Sequence, residues 1–309
     1  MGRLAFMFPG QASQSVGMDR FLWDYPDAVD FLERIDEMTG VHKLSDIISG
    51  GPAETLTRTD NVQPAITMVS LATMNVLVAA GVKPEGTAGH SLGEYSALVT
   101  AGVLLPEIAA KLTRIRGELM QECADRHPGG MLALIGISLE NARECVAEAS
   151  SIGPVGIANV NSEGQVVISG ARTALNKAGQ LCKDRGARKV IPLDVSGAWH
   201  SPLMKDAANG LESALDDAGF YEPEMPVVSN VTADLIRSGD EAKRLLKEQV
   251  TSPVLWAASI RKLQNSGFDT FVEVGPGKVL QGLMKKLEGV KVYGTQDREA
   301  LEETLGALV

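Results

Sequence analysis

The chain has 309 residues, enough for one large domain or for one domain with a smaller companion. Hydrophobic residues make up 44% and charged residues 22%, with 32 glycines and 14 prolines scattered along the sequence, a balance that excludes a disordered chain, a collagen and a coiled coil. With 29 Lys and Arg against 39 Asp and Glu the formal charge is −10, which excludes an extended nucleic-acid surface because phosphate binding needs clustered cations.

In chain order, the apolar run 4–8 ends in Pro9-Gly10 and reads as a strand buried on both faces, too short to be a secretory signal. Residues 19–38 carry helical periodicity broken at Pro26. The stretch 66–82 is the longest membrane candidate, but Thr67, Ser70, Thr73 and Asn75 interrupt it, and a buried core helix fits it better than a span of about 20 apolar residues. Residues 86–89 lead as a strand into Ser91 and a helix over 92–101, and an amphipathic helix follows over 106–123. Strand, sharp turn and helix is the order of an α/β enzyme.

Residues 130–196 have a rhythm of their own: strand 131–137, helix 140–151, strands 155–161 and 165–169, helix 172–185 and strand 189–195. That is βαββαβ, the ferredoxin-like unit, which predicts a small subdomain over 128–197 inserted in a large domain made of 1–127 and 198–309. Helices near 201–218, 239–250 and 255–266 come next, then the strand 270–274, the turn Gly275-Pro-Gly277, a helix from Lys278 and a last strand over 290–293. The three cysteines, Cys123, Cys145 and Cys182, form no CxxC pair and no zinc spacing, so they read as free thiols in a reducing cytoplasm, with no metal site.

Gly89-His90-Ser91-Leu92-Gly93 matches G-x-S-x-G between a strand and a helix, the context of a nucleophile elbow. Such a turn holds the hydroxyl at a helix N-terminus, where the Leu92 N–H is the first donor to an oxyanion. The plain alternative is a glycine-rich turn without chemistry. A serine hydroxyl needs a base. Of the four histidines, His42 lies in a polar connection, His127 stands before Pro128-Gly-Gly, and His90 points elsewhere off the turn. His200, in Ser196-Gly-Ala-Trp-His200-Ser-Pro, remains; its place suits a base or a structural histidine equally well. No acid stands in an orienting motif, Asp194 being the nearest on its N-terminal side, so the reading is a dyad whose orienter is open.

Several segments together resemble the malonyl-CoA:acyl carrier protein transacylases, and more widely the acyltransferase domains of polyketide synthases. They are Phe8-Pro-Gly-Gln-Ala-Ser-Gln14, Gly89-His-Ser-Leu-Gly-Glu-Tyr95, Arg116-Gly with Met120-Gln121, Gly129-Gly-Met131, Asn159-Val-Asn161, Gly197-Ala-Trp-His-Ser201, Thr251-Ser-Pro-Val254 and Glu273-Val-Gly-Pro-Gly-Lys278, in an order that runs nearly end to end. The resemblance implies an α/β-hydrolase-like large domain with a ferredoxin-like small subdomain. It implies Ser91 as the acylated serine, His200 as general base, the N–H groups of Gln11 and Leu92 as oxyanion hole, and the Gln249 carbonyl as the group orienting the histidine. Arg116 corresponds to the arginine that grips the malonyl carboxylate through two charge-assisted bonds; beside Lys111 and Arg114 it also reads as a solvated helix charge. Gln63, Asn161, Asn159, Met131 and Trp199 are the remaining substrate-binding candidates. The two asparagines also suit the polar side of a strand, and Met131 suits the core.

Two positions depart from the family's pattern. Ala12 replaces a glycine in the Gly-Gln-Gly-Ser-Gln loop, and Trp199 replaces a phenylalanine before the histidine. The implied activity is ping-pong transfer of malonyl from malonyl-CoA to the phosphopantetheine thiol of acyl carrier protein, with no metal or redox cofactor, in a cytoplasmic monomer serving fatty acid synthesis. A trans-acting polyketide acyltransferase, a serine thioesterase or hydrolase, and a noncatalytic carrier-docking module are the alternatives. Arg185, Arg188, Lys189, Lys278, Lys285 and Lys286 are candidates for docking the acidic carrier.

Overall fold

Strand β1 (Arg3–Phe8) lies at the centre of a parallel sheet, between β2 (Gly86–Gly89) and β8 (Phe268–Glu273). The sheet continues to β7 (Val227–Val228) beyond β2 and to β9 (Lys291–Gly294) beyond β8. This is seen in a computed structural model that describes residues 2–39 and 44–309; His42 falls outside them. Ala5, Phe6, Met7 and Phe8 are fully buried, as an unbroken apolar strand in a sheet covered on both faces must be.

A second, antiparallel sheet has the order β4 (Val155–Ser162), β5 (Gln165–Ala171), β3 (Gly129–Ile135), β6 (Lys189–Pro192). Its two faces follow from the two-residue period of a strand. Leu132 and Leu134 of β3 join Val166 and Ile168 of β5 under the helices Leu139–Ala149 and Arg172–Asp184, in a core that also holds Cys145 and Cys182. The alternate residues Met131, Ala133 and Val167 belong to the core of the large body. The sheets are stitched where β4 meets residue 254, with Val160 N–H donating to the Val254 carbonyl at 2.9 Å and Val254 N–H to Ala158 at 2.9 Å.

Two long helices, Thr59–Ala79 and Pro106–Arg126, cross beside the parallel sheet. The first is apolar and long enough to cross a membrane, but 78% of its apolar window is buried inside the protein. They touch at Gly117, where a β carbon would come within 2.5 Å of the Thr59 carbonyl oxygen, so only glycine permits the approach. Pro64 inside the first helix cannot donate to the carbonyl four residues back. Arg114 Nη1 of the second helix fills that vacancy, donating to the Asp60 carbonyl at 3.1 Å. The helices are thereby locked in the register that brings Arg116 to Gln63.

The elements match the sequence reading closely around the two sheets. The break expected at Pro26 is a helix start: a short 3-10 turn, Arg20–Asp24, precedes the helix Pro26–Thr39. The sequence reading did not anticipate β7, the short helices Leu44–Gly50 and Ala53–Thr57, or the helix Arg298–Leu308.

Candidate active site

Ser91 follows β2 and precedes the helix Gly93–Thr100, with a left-handed backbone, φ +51°. A residue with a Cβ enters that region at a cost of about 1–2 kcal/mol, so its surroundings must hold it there. Asn230 does so. Its Oδ1 accepts the Ser91 N–H at 2.7 Å and its Nδ2 donates to the Gly89 carbonyl at 2.6 Å, closing the turn from the side. Gly93 lets the elbow sit against β1, since a β carbon there would lie 2.2 Å from the Phe8 carbonyl oxygen.

His200 reaches the same point from the other side of the cleft. Its Nε2 lies 2.7 Å from Ser91 Oγ and its Nδ1 lies 2.8 Å from the Gln249 carbonyl oxygen. A carbonyl only accepts, so Nδ1 carries the proton and Nε2 presents its lone pair to the serine hydroxyl. The carbonyl is available because Gln249 ends the helix Gly239–Gln249, where the last carbonyls lack a partner within the helix. Burial, reinforced by the Arg116 charge, pushes the imidazole down to about 3, so it is neutral at pH 7.

Arg116 is 1% exposed. Its Nη1 donates to Gln63 Oε1 at 2.7 Å, and its Nη2 donates to Gln249 Oε1 at 3.0 Å and to Ser91 Oγ at 3.2 Å. Its Nε has no hydrogen-bond partner among the described residues. Burial lowers its pKa, opposed by Tyr95 and Glu94. A guanidinium taken out of water without a directly paired anion is costly, and it makes a strong receptor for a carboxylate. It is not a solvated helix charge.

Ser91, His200 and Arg116 line one cleft of about 620 Å³ together with Gln11, Leu92, Met131, Asn159, Asn161, Trp199 and Met120. Gln63 lies behind Arg116, buried, its Nε2 directed at Met120 Sδ. Asn161 Oδ1 is 2.9 Å from His90 Nε2, and the His90 ring stands edge-on to Trp256, so this histidine faces the cleft wall and not the serine hydroxyl. Met131 and Trp199 are both buried against the main core and part of the cleft wall. Ala12, beside Gln11, has φ +81°, the left-handed angle that a glycine would take without strain.

Of the basic residues, Arg188, Lys285 and Lys286 come together around an adjoining cleft of about 570 Å³, which shares Asn161, Gln165 and Leu283 with the first. Arg185 is turned aside by Glu144 at 3.0 Å and Glu148 at 2.9 Å, and Lys278 lies 4.0 Å from Asp297. Among the described residues, no cluster of three or more His, Cys, Asp or Glu is arranged to hold a metal ion.

Sequence reasoning missed Glu94 and Asn230, and it gave Gln249 only its backbone role. Glu94 is 1% exposed, and burial pushes its carboxyl up to about 7. The signal for it was present: an acid three residues after the elbow serine in an otherwise small and apolar helical turn. For Asn230, after the two-residue strand β7, no spacing signal exists.

The sequence matches the acyl transferase domain family over residues 5–298. It is 42% identical over 311 residues to the malonyl CoA-acyl carrier protein transacylase of Bacillus subtilis, covering 100% of this chain and 98% of that one. The structure superposes on the malonyl-CoA:acyl carrier protein transacylase of Xanthomonas oryzae with a TM-score of 0.96 at 38% identity, covering 100% of this chain and 99% of that one. It also superposes on a malonyl-transacylase solved in complex with its type II polyketide acyl-carrier protein, with a TM-score of 0.94 at 36% identity and 99% of each chain covered.

Proposed function

The chain belongs to the acyl transferase domain family, and from that premise we propose that it transfers the malonyl group of malonyl-CoA to the phosphopantetheine thiol of an acyl carrier protein, supplying extender units for fatty acid synthesis. The observation that carries this reading is a serine–histidine pair at 2.7 Å with a buried guanidinium donating to the same serine oxygen at 3.2 Å. In a malonyl-serine ester the carboxylate oxygens lie four bonds from that oxygen. A guanidinium beside the nucleophile is therefore within reach of the carboxylate of the bound acyl group, a group that acetyl lacks.

The chemistry follows from the residues. His200 Nε2 takes the proton as Ser91 Oγ attacks the thioester carbonyl, and Nδ1–H stays on the Gln249 carbonyl. The N–H groups of Gln11 and Leu92 are the proposed donors to the tetrahedral oxyanion. The thioester bond breaks, coenzyme A leaves as its thiol with the proton from His200, and the malonyl group remains on Ser91. The carrier's thiol then gives its proton to His200 and attacks the ester, and Ser91 leaves reprotonated. Proton traffic and acyl exchange are complete with these groups, so the reading requires no metal or redox cofactor.

We read residues 1–127 and 198–309 as an α/β-hydrolase-like domain and 128–197 as a ferredoxin-like subdomain, the strand order β4-β5-β3-β6 being that of a βαββαβ unit. Asn159, Asn161, Met131 and Trp199 would bound the acyl and pantetheine path, and Gln63 would set the guanidinium. Arg188, Lys285 and Lys286 are the proposed docking charges for an acidic carrier. The buried free thiols of Cys123, Cys145 and Cys182 suit the cytoplasm, and we read the enzyme as a monomer.

Intact-mass spectrometry tests the proposal in two additions. Malonyl-CoA should add one malonyl group to the wild-type protein and none to Ser91→Ala, and carrier protein bearing phosphopantetheine should then discharge it. Malonylation of the Ser91→Ala protein removes the nucleophile. An ester that water clears as fast as the carrier does makes the enzyme a hydrolase.

A further inference from the structure

Gln249 meets three parts of the site at once. Its backbone carbonyl accepts His200 Nδ1–H at 2.8 Å, its side-chain Oε1 accepts Arg116 Nη2–H at 3.0 Å, and its Nε2 donates to the Ser91 carbonyl at 2.9 Å and to Glu94 Oε2. A side-chain amide has two ends of similar shape and opposite hydrogen-bonding character, so what surrounds it must specify which end faces which neighbour. Toward Arg116, only the oxygen end is compatible with a donor that cannot accept. Toward the Ser91 carbonyl, which only accepts, only the nitrogen end is, and Glu94 Oε2 accepts from that same nitrogen.

Glu94 is fixed in turn. It sits in the first turn of the helix Gly93–Thr100, and both of its carboxyl oxygens face the Asn230 N–H, at 3.3 and 3.4 Å. Neither the proposed base nor the serine hydroxyl is bonded to it. A buried carboxyl is expensive to keep, and its one short contact to a side chain of the site is with Gln249.

We propose that Glu94 is a positioning residue for acyl selectivity: by accepting from Gln249 Nε2 it fixes the orientation of that amide, and the amide oxygen then aims Arg116 at the acyl carboxylate. This rests on the functional reading above. Without Glu94, Gln249 Nε2 keeps only the Ser91 carbonyl of its two acceptors, the amide is held less firmly, and Arg116 loses its alignment. His200 is held by the Gln249 backbone and keeps its orientation. The consequence is selective: transfer of malonyl suffers and transfer of acetyl, which has no carboxylate, suffers little.

The test measures the rate of Ser91 acylation by malonyl-CoA and by acetyl-CoA in Glu94→Ala, Glu94→Gln, Gln249→Ala and the Glu94→Ala/Gln249→Ala double variant. Glu94→Ala should slow malonylation about tenfold more than acetylation, the loss expected for one misaligned hydrogen bond to a charged group. Glu94→Gln, whose amide oxygen can still accept from Gln249 Nε2, should recover most of that loss. Gln249→Ala, which also removes the donor to the Ser91 carbonyl, should slow both transfers but malonylation about tenfold more, and adding Glu94→Ala to it should change that ratio by less than about twofold, because residues that act as one unit are not additive. Equal losses for the two acyl groups, in Glu94→Ala or in Gln249→Ala, overturn the proposal, as does full additivity in the double variant. Gln249→Ala decides the matter should Glu94→Ala fail to fold. A wild-type protein that forms no malonyl-serine ester defeats the functional reading itself, which the variant ratios do not touch.

Discussion

Asn230 holds Ser91 in its strained conformation through the backbone, not through the hydroxyl: its Oδ1 takes the Ser91 N–H at 2.7 Å while its Nδ2 donates to the Gly89 carbonyl at 2.6 Å. Asn230 is fully buried, so truncation leaves a donor and an acceptor without partners and without water. Each such group costs about 1–3 kcal/mol. Asn230→Ala is expected to lower the unfolding free energy by at least about 1 kcal/mol in urea denaturation and to slow Ser91 acylation by any acyl-CoA. Loss of stability with undiminished acylation would show that the turn holds the hydroxyl unaided.

Among the described residues Arg116 is the one guanidinium bonded to Ser91 Oγ, at 3.2 Å, and it is also anchored on Gln63 and Gln249. A charge-assisted bond to a buried carboxylate contributes about 1.5–3 kcal/mol, equivalent to roughly 10- to 150-fold in rate. Arg116→Ala should therefore reduce kcat/KM for malonyl-CoA by that order while acetyl-CoA, which has no carboxylate to grip, is affected little. Steady-state kinetics with both thioesters checks it; parallel losses reject the carboxylate grip.

The pH response of the site has two opposed parts. Burial pushes His200 down to about 3 from an ordinary 6.5, so the folded protein keeps it neutral while the unfolded chain takes up a proton. Its stability contribution is complete above 6.5 and is lost as the pH falls toward 3. Burial pushes Glu94 up to about 7 from 4.5, so its contribution is complete below 4.5 and is lost as the pH rises through 7. Between 4.5 and 6.5 the two slopes cancel. In a His200→Gln protein only the Glu94 slope survives there, and the stability of wild type relative to that variant should shrink as the pH is lowered from neutral. Urea titrations of both proteins at several pH values measure the difference; a constant difference means that His200 titrates normally in the fold.

How much of this was legible in the sequence follows from the range of each interaction. Strand β1 is an unbroken apolar run, β2 stands before the small-residue turn at Ser91, and the βαββαβ rhythm alternates short apolar runs with 3.6-residue periods, all local patterns that the sequence exposes. Ser91 was legible because an elbow needs small neighbours on both sides within five residues. Arg116 was not, as a residue: nothing in its helix shows that Gly117 draws a second helix within contact and closes it off from solvent. His200 was legible only by elimination among four histidines, since its orienter is a backbone carbonyl 49 residues away and a backbone atom has no residue type. Glu94 and Asn230 were missed because their partners are amides and carbonyls brought together by tertiary packing across more than 130 residues.

Arg188, Lys285 and Lys286 border a cleft continuous with the site, on a protein whose formal charge is −10. An acidic carrier approaching this mouth meets local positive potential, and such steering fades once ions shorten the Debye length to about 8 Å at physiological strength and less above it. Added salt should slow discharge of the malonyl ester to carrier protein far more than it slows discharge to a small neutral thiol. Reversing the charge of Lys285 or Lys286 to Glu should reproduce the selective loss at low salt. Equal salt sensitivity for both acceptors argues against docking at this face.

Ala12 carries a left-handed backbone at φ +81° next to Gln11, whose N–H is a proposed oxyanion donor. The Cβ makes that conformation cost about 1–2 kcal/mol. Replacing it by glycine removes the strain but returns about 0.4–1 kcal/mol through the greater freedom of the unfolded chain, so Ala12→Gly should stabilise the protein by up to about 1.6 kcal/mol. Ala12→Val should act in the opposite sense and more strongly, because a branched Cβ in this region is a severe outlier. The activity of the two variants separates strain from function. If the loop is held in its working geometry by its surroundings, Ala12→Gly keeps the wild-type acylation rate while its urea midpoint rises; a glycine variant that acylates more slowly would mean that the Ala12 side chain itself stiffens the loop carrying the Gln11 donor.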